Sequence, residues 1–144
     1  MKIRKAKPSD KETILHLLDS GREIMRRNGN PLQWPDGYPN PETIDTDITQ
    51  GVSYLCLEDG KAVGTFAMIP GPDPTYATIY QGRWIDNTLP YLVVHRMASL
   101  PDSHGIFRTC LEYVTTSVSI HTAITIFCST TCRSTVLATA ESST

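Results

Sequence analysis

The sequence predicts one mixed domain, α/β or α+β, in which strands and helices surround a single core. Its 144 residues, 40% hydrophobic and 19% charged, suffice for one domain with a buried core and are too few for two ordinary domains. Apolar residues recur at helical spacing in some segments and form short β-prone runs in others. Glycine, proline and aspartate punctuate the boundaries between these segments.

The first strand and helix fall within the first thirty residues. Residues 2–6 predict a short strand, and Pro8-Ser9-Asp10 predicts a helix start with Ser9 or Asp10 as N-cap. Gly29 ends this helix. One helix face is buried, because apolar residues recur at its spacing: Ile14, Leu17, Leu18, Ile24 and Met25. We interpret three arginines as a solvated helix face: Arg22, Arg26 and Arg27.

A loop, a second helix and a hairpin follow. Residues 30–41 are rich in proline, glycine and aromatic residues, which is typical of a loop. Pro41 suits the first position of a second helix that stops at Gly51. Residues 52–57 and 62–69 are strand candidates on either side of Asp59-Gly60, a strong hairpin signal.

Residues 91–98 form a continuous β-prone run of the kind that is buried on both faces. A loop follows, and a helix is predicted from His104, with Ile106, Cys110 and Val114 at helical spacing. A loop that enters a helix N-terminus presents backbone N–H groups and the positive end of the helix dipole. Such a site can bind a diphosphate without a basic side chain, and Gly105 would let the backbone approach it closely.

The net charge, the N-terminal sequence and the cysteine pattern lead us to expect that several classes of function are absent. A net charge of −2 argues against nucleic acid as a partner. The charged N-terminus predicts no signal peptide, and no apolar run predicts a membrane span. The four cysteines show no disulfide framework, so we expect a cytoplasmic protein. No metal is expected, because Cys128 and Cys132 with His121 lack zinc-ligand spacing.

Four segments together resemble a known family. They are the opening Lys-Ile-Arg-Lys-Ala strand with its Pro-Ser-Asp helix start, the loop Gln33-Trp34…Asp36-Gly37-Tyr38-Pro39, the Glu58-Asp59-Gly60 hairpin and the strand Tyr91–Ala98. In this order they look like the N-terminal two-thirds of a GNAT-superfamily N-acetyltransferase, over about residues 1–116. The resemblance implies a mixed, largely antiparallel central sheet flanked by helices. It also implies acetyl-CoA as co-substrate and direct acetyl transfer to a primary amine of a small molecule or peptide.

The resemblance also implies binding residues for acetyl-CoA. The backbone of Met97, Ala98 and Ser99 would serve the acetyl carbonyl and the pantetheine arm. The diphosphate loop would comprise Ser103, His104, Gly105, Ile106, Phe107 and Arg108. Of the residues in this loop, only Gly105 matches the residue type that the family has at the same position. Asp102 places a negative charge where the family prefers a cation or amide, and Phe107 occupies a position normally kept small, so we expect weakened binding.

The acceptor side is less specific. His95 is a candidate general base, since its intrinsic pKa suits neutral pH, and the alternative is a packed strand residue. Trp34 and Tyr38 either line the acceptor pocket or anchor a long loop. A homodimer is a further partnership that the sequence leaves open.

The last segment, residues 117–144, departs from the family. Half of residues 115–144 are serine or threonine, and Arg133 and Glu141 are the only charged ones. Read one base out of frame, two stretches permit the missing strand-to-helix segment and final hairpin, so we hypothesise a frameshift near Thr116. The strand–helix–hairpin part would then be replaced or incomplete, and residues 120–127 are β-prone enough to pair with the central strand.

Two functions follow as alternatives. One is an N-acetyltransferase, with activity reduced by the altered tail. The other is a non-catalytic acyl-CoA-binding remnant or an inactive truncated acetyltransferase.

Overall fold

In the described part of the chain, six strands form one sheet in chain order, with helices packed on its two faces. The computed structural model describes residues 1–32, 34, 37–71 and 91–117, and the backbone of two further strands, at 123–126 and 135–137. The elements are β1 (Lys2–Lys5), a 3₁₀ turn (Pro8–Asp10), α1 (Lys11–Arg27), α2 (Pro41–Thr49), β2 (Ser53–Glu58), β3 (Lys61–Pro70), β4 (Tyr91–Ser99), α3 (Ile106–Ser117), β5 (Ala123–Ile126) and β6 (Thr135–Leu137).

The sheet is mixed and largely antiparallel, as the resemblance implies. β1 to β4 pair antiparallel in succession, β4 pairs parallel with β5, and β5 pairs antiparallel with β6. A parallel pair needs a crossover connection, and α3 lies in the connection between β4 and β5. The prediction that residues 120–127 pair with the central strand is confirmed for Ala123–Ile126. The rest of that segment lies outside the described residues, and the frameshift stays a hypothesis that the coding DNA would test.

Each face of the sheet has its own apolar core. On the α3 face the core contains Tyr54, Cys56, Phe66, Val94, Met97, Ile106, Cys110 and Val114. On the α1 and α2 face it contains Ile14, Leu17, Leu18, Met25, Trp34, Ile44, Ile48, Leu55 and Ala98. Successive side chains of a strand point to opposite faces, which is why the middle strands are apolar on both sides. β4 is therefore buried on both faces, as its continuous apolar run predicts.

Local signals place most element boundaries. Asp59 and Gly60 both have positive φ, 49° and 78°, which is the backbone of a tight hairpin turn. Asn40 caps α2 by accepting a 2.8 Å hydrogen bond from the amide of Thr43. α3 begins at Ile106, two residues later than predicted, because Gly105 has a φ of 72° that a helix cannot contain.

The start of α1 uses Asp10 differently from the prediction. Asp10 occupies the N-cap position, but its side chain does not cap the helix. The carboxylate instead accepts hydrogen bonds from the Lys7 amide at 2.7 Å and from both terminal nitrogens of Arg4 at 2.7 and 2.9 Å. These bonds lower the pKa of Asp10, with the Arg4 bond as the largest cause. The residue therefore joins β1 to the entry of the first helix.

Two negative observations concern the described part of the chain. No helix there has the length and apolar character needed to cross a membrane. Cys56 and Cys110 are not disulfide-bonded, and their Sγ atoms lie 3.5 Å apart in the α3-side core.

We expect Asp10→Asn to destabilise the fold in a pH-dependent manner. The folded-state pKa of Asp10 lies below its usual value, so its contribution is complete above the unfolded-state pKa of about 4 and is lost as the pH falls through the lower folded-state pKa. Urea unfolding should show a deficit of about 1 kcal/mol at pH 7 that shrinks toward zero in acid. A deficit of the same size at every pH would contradict this account.

Candidate functional site

β4 carries an extra residue in its middle. Ala67 pairs with His95 and Thr65 pairs with Ala98, so the single residue Phe66 lies opposite both Arg96 and Met97. The sheet thus contains a β-bulge at Arg96-Met97, which we call the β4 bulge. Arg96 has a φ of 52°, a left-handed conformation that costs a non-glycine residue about 1–3 kcal/mol.

The β4 bulge reverses the side-chain alternation of the strand. In a regular strand Val94 and Ala98 would face the same side. Here Val94 and Met97 lie in the core under α3, whereas Ala98 lies in the core under α1. A Cβ atom on Gly21 of α1 would come within 2.9 Å of the Ala98 Cβ, so helix and strand are in close contact there. The bulge therefore determines how β4 sits between the two layers.

Beyond the bulge, β4 continues past its described pairing with β5. That parallel pairing covers Tyr91–Val94, while β4 extends to Ser99. The chain then turns through residues 100–105, where the amide of Leu100 donates to Val63 O at 3.0 Å and the amide of Ser103 to Leu100 O at 3.1 Å. This short connection brings the end of β4 directly to the start of α3.

The first turn of α3 provides a group of helix-start amides. Gly105 O accepts the bond from the Thr109 amide at 3.0 Å, and the Thr109 hydroxyl donates to the same oxygen at 3.0 Å. The amides of Ile106, Phe107 and Arg108 therefore precede the first helical hydrogen bond, as at any helix start. With the positive end of the helix dipole they form a cradle suited to an anion. We call these three amides the α3 cradle.

Packing beneath the helix sets the position of the α3 cradle. The Ile106 side chain is buried, and a Cβ atom on Gly64 of β3 would lie only 2.8 Å from its Cγ2. Glycine at position 64 is thus what allows α3 to begin so close to the sheet. The neighbouring side chains are exposed, including His104, Arg108, Asp102 and Phe107, whose ring is 41% exposed. The expected weakening by Asp102 and Phe107 stays a prediction.

His95 lies on β4 beside a buried ion pair. Its side chain is half-buried, and its residue pairs with Ala67 in the sheet. Burial raises the pKa of Asp47, and the charges of Arg96 and His95 act in the opposite direction. His95 and Asp47 are therefore within electrostatic range of each other. Its role as general base stays a prediction.

The structure separates the two aromatic residues of the loop before α2. Trp34 is buried in the core under α1, which favours the anchoring interpretation for this residue. Tyr38 is 39% exposed, and its hydroxyl lies 3.4 Å from Nη1 of Arg96. Tyr38 is therefore the one of this pair whose side chain is accessible near β4. Gln33 and Asp36 of the same motif lie outside the described residues.

The interpretation of Arg22 as part of a solvated face is wrong. Its side chain is only 15% exposed and makes an ion pair with Asp19. It also donates to the carbonyl of Tyr38 at 3.0 and 2.9 Å and to that of Pro39 at 3.2 Å. A guanidinium has five N–H donors, so one arginine can satisfy several loop carbonyls that no secondary structure pairs. Arg22 thus ties the loop to α1.

The structure contains a buried ion pair, between Arg96 and Asp47, that the sequence does not predict. Arg96 donates from Nε to Asp47 Oδ2 at 2.7 Å and from Nη2 to Asp47 Oδ1 at 2.7 Å. The two side chains are 10% and 7% exposed. The available signals were an arginine inside an apolar strand run and an aspartate one turn from Ile44, on the buried face of α2. Neither signal identifies the partner, because the residues are far apart in sequence.

No metal site is found in the part of the chain that the structure describes, where no three histidine, cysteine, aspartate or glutamate side chains converge. The discounted cluster of Cys128, Cys132 and His121 lies outside that part.

Comparisons with known proteins bear on the fold. Neither protein-family models nor curated protein sequences give a match to this chain. Among solved structures, a GNAT-family acetyltransferase from Streptococcus agalactiae is similar at 29% identity, with a TM-score of 0.78 over 87% of this chain and 73% of that one. One from Listeria monocytogenes has a TM-score of 0.63 at 18% identity, over 87% and 74% of the two chains.

A third structure was determined with a ligand. A GNAT-family acetyltransferase from Brucella melitensis, in complex with acetyl-CoA, has a TM-score of 0.52 at 17% identity over 87% of this chain and 73% of that one. The mixed sheet, the helices on its two faces and these similarities agree. The chain has the fold of the GNAT-family, acyl-CoA-dependent acetyltransferases.

Proposed function

We propose that this protein is an acetyl-CoA-dependent N-acetyltransferase that acetylates a primary amine of a small molecule or peptide. The observation that carries the proposal is the juxtaposition of the β4 bulge, the end of β4 and the α3 cradle. A strand end that leads directly into a helix start offers backbone groups and helix-start amides to an extended, anionic acyl carrier. The similarity to the Streptococcus agalactiae acetyltransferase supports the same activity class.

The diphosphate of acetyl-CoA would bind at the α3 cradle. Its charge would interact with the amides of Ile106, Phe107 and Arg108 and with the helix dipole. Gly105, at a φ of 72°, permits the turn that exposes these amides. Ser103 and His104 lie in the loop that precedes the α3 cradle, and the exposed side chain of Arg108 adds positive charge. Asp102 acts against binding through its negative charge.

Acetyl transfer requires a short list of groups. The amine nitrogen attacks the thioester carbonyl, a C–N bond forms, the C–S bond breaks and CoA leaves as the thiolate. The amine proton passes to a base, for which His95 or a water molecule is the candidate. By resemblance, backbone groups of Met97, Ala98 and Ser99 hold the thioester carbonyl, where negative charge develops in the transition state.

A second candidate function is acyl-CoA binding without turnover. It is favoured by the Asp102 and Phe107 departures in the diphosphate loop and by the serine- and threonine-rich residues 117–144. Binding and turnover measured separately distinguish this candidate from the enzyme.

We expect acetyl-CoA to raise the melting temperature of the protein. A ligand that binds only the native state at a hundred times its Kd stabilises that state by about 2.7 kcal/mol. Differential scanning fluorimetry with acetyl-CoA, CoA and inorganic phosphate measures the shift. Acetyl-CoA and CoA should both shift the transition more than phosphate does. If neither acetyl-CoA nor CoA shifted the melting temperature, both candidate functions would be contradicted.

We expect Gly64→Ala to weaken acetyl-CoA binding about tenfold, or ~1.4 kcal/mol. The added methyl group would meet Ile106 and displace the start of α3, which carries the cradle amides. Isothermal titration calorimetry gives the Kd. Gly60→Ala is the matched control, because its φ of 78° strains the hairpin turn but its methyl group meets no atom within 4 Å. Equal affinity in the two variants would contradict the role of this packing.

We expect thiol release from acetyl-CoA to accelerate with a suitable primary amine and to fall in His95→Gln. Loss of a general base reduces kcat by about 10²–10⁴-fold. The assay compares a panel of amines against an amine-free blank, and His16→Gln on the exposed face of α1 is the control. Binding without release for any amine supports the non-catalytic candidate. Wild-type kcat in His95→Gln would assign the proton to water instead.

A further inference from the structure

We propose that Arg96 is a positioning residue for acetyl transfer, and that its ion pair with Asp47 maintains the β4 bulge. The inference rests on the proposed function, because it concerns the orientation of the backbone that would hold the thioester. Arg96 and Asp47 are not among the site residues that the resemblance implies. Three observations carry it: the backbone conformation of Arg96, the burial of its partner and the contact with Tyr38.

The backbone of Arg96 is in a conformation that its own residue type disfavours. A non-glycine residue with a φ of 52° persists only where the surrounding structure determines it. The Arg96 side chain holds this conformation through two parallel hydrogen bonds of 2.7 Å to the Asp47 carboxylate. Both groups are nearly buried, at 10% and 7% exposure, so solvent screens the pair weakly. The strained residue of the bulge is thus bonded through its own side chain to α2.

The bulge controls which way the end of β4 faces. Without the extra residue, Ala98 would lie on the same side of the sheet as Val94, the side under α3. With it, Ala98 packs on Gly21 of α1, and the carbonyl of Ser99 accepts a 3.2 Å hydrogen bond from the Ser20 hydroxyl. The peptide groups of Met97–Ser99 therefore take their orientation from the bulge upstream of them. In the proposed reaction these are the groups that hold the thioester carbonyl.

The same guanidinium contacts the loop before α2, where Tyr38 is a candidate for lining the acceptor pocket. Its Nη1 lies 3.4 Å from the Tyr38 hydroxyl, at the accessible end of the loop before α2. Arg22 fixes the backbone of that loop through the Tyr38 carbonyl, so the loop is held from both α1 and β4. Arg96 therefore connects β4 with α2 and with the loop before α2 through one side chain.

The kinetic test compares two arginines that make similar ion pairs. Arg96→Gln should lower kcat about 100-fold, the effect expected of a misplacement near 1 Å, while the Kd for acetyl-CoA changes much less because the α3 cradle for the diphosphate is intact. Arg4→Gln is the control, since Arg4 lies on β1 at the far edge of the sheet and also makes a bidentate contact with a carboxylate, that of Asp10, through its two terminal nitrogens. It should change stability but not kcat per folded molecule.

Arg96→Lys gives the second variant. It keeps a positive charge opposite Asp47 but cannot make the bidentate bond and reach Tyr38 at once. We expect its kcat to lie between those of the wild type and Arg96→Gln. If Arg96→Gln does not fold, Arg96→Lys is compared with Arg4→Gln in its place. Wild-type kcat in both Arg96 variants overturns the proposal, and so does a loss no larger than that of Arg4→Gln.

Amide hydrogen exchange gives a readout that needs no activity. Exchange at residues 94–99 should accelerate in the Arg96 variant and stay at the wild-type rate in Arg4→Gln. Equal exchange in the two variants overturns the proposal that the ion pair maintains the bulge. If the wild-type chain neither binds acetyl-CoA nor releases CoA, the proposed function fails. Faster amide exchange at residues 94–99 in the Arg96 variant alone would still support the structural role of Arg96.

Discussion

The arrangement of the site depends on one break in a strand. β4 would be an ordinary central strand if its pairing with β3 were regular, and its side chains would then alternate without interruption. The bulge at Arg96-Met97 transfers Ala98 to the α1 side and leaves Val94 and Met97 under α3. The peptide groups of Met97–Ser99, at the end of β4, take their direction from this change. In our proposal, the ion pair between Arg96 and Asp47 maintains this bulge.

The anion cradle depends on packing of a different kind. Helix-start amides are available at every helix, so their presence alone has little meaning. What distinguishes α3 is its place: Gly64 leaves room for Ile106 against the sheet, and the Leu100 amide bonds to Val63 O. These contacts bring the cradle to the end of the strand that would hold the acetyl group. One extended acyl carrier could therefore bind both.

Elements with local signals were predictable. Asp59-Gly60 indicates its hairpin because both residues tolerate positive φ, and Pro41 with Gly51 brackets α2. Long-range partners were not predictable. Arg22 lies on a helix whose spacing places it beside solvent-facing arginines, yet it donates to the carbonyl of Tyr38, sixteen residues away. Nothing adjacent to Arg96 in sequence indicates a bulge, because the second strand of the pair and α2 determine it.

The order of strands and helices, the turn at Asp59-Gly60 and the loop entering α3 follow from the sequence itself. These features arise from conformational preferences of neighbouring residues and from the periodicity of apolar side chains, and both are local properties of a chain. The Arg96–Asp47 pair, the burial of Trp34 and the accessible place of Tyr38 arise only when distant segments pack. Their energies come from charge pairing and exclusion of water between elements, so they depend on the packing of segments that are distant in sequence.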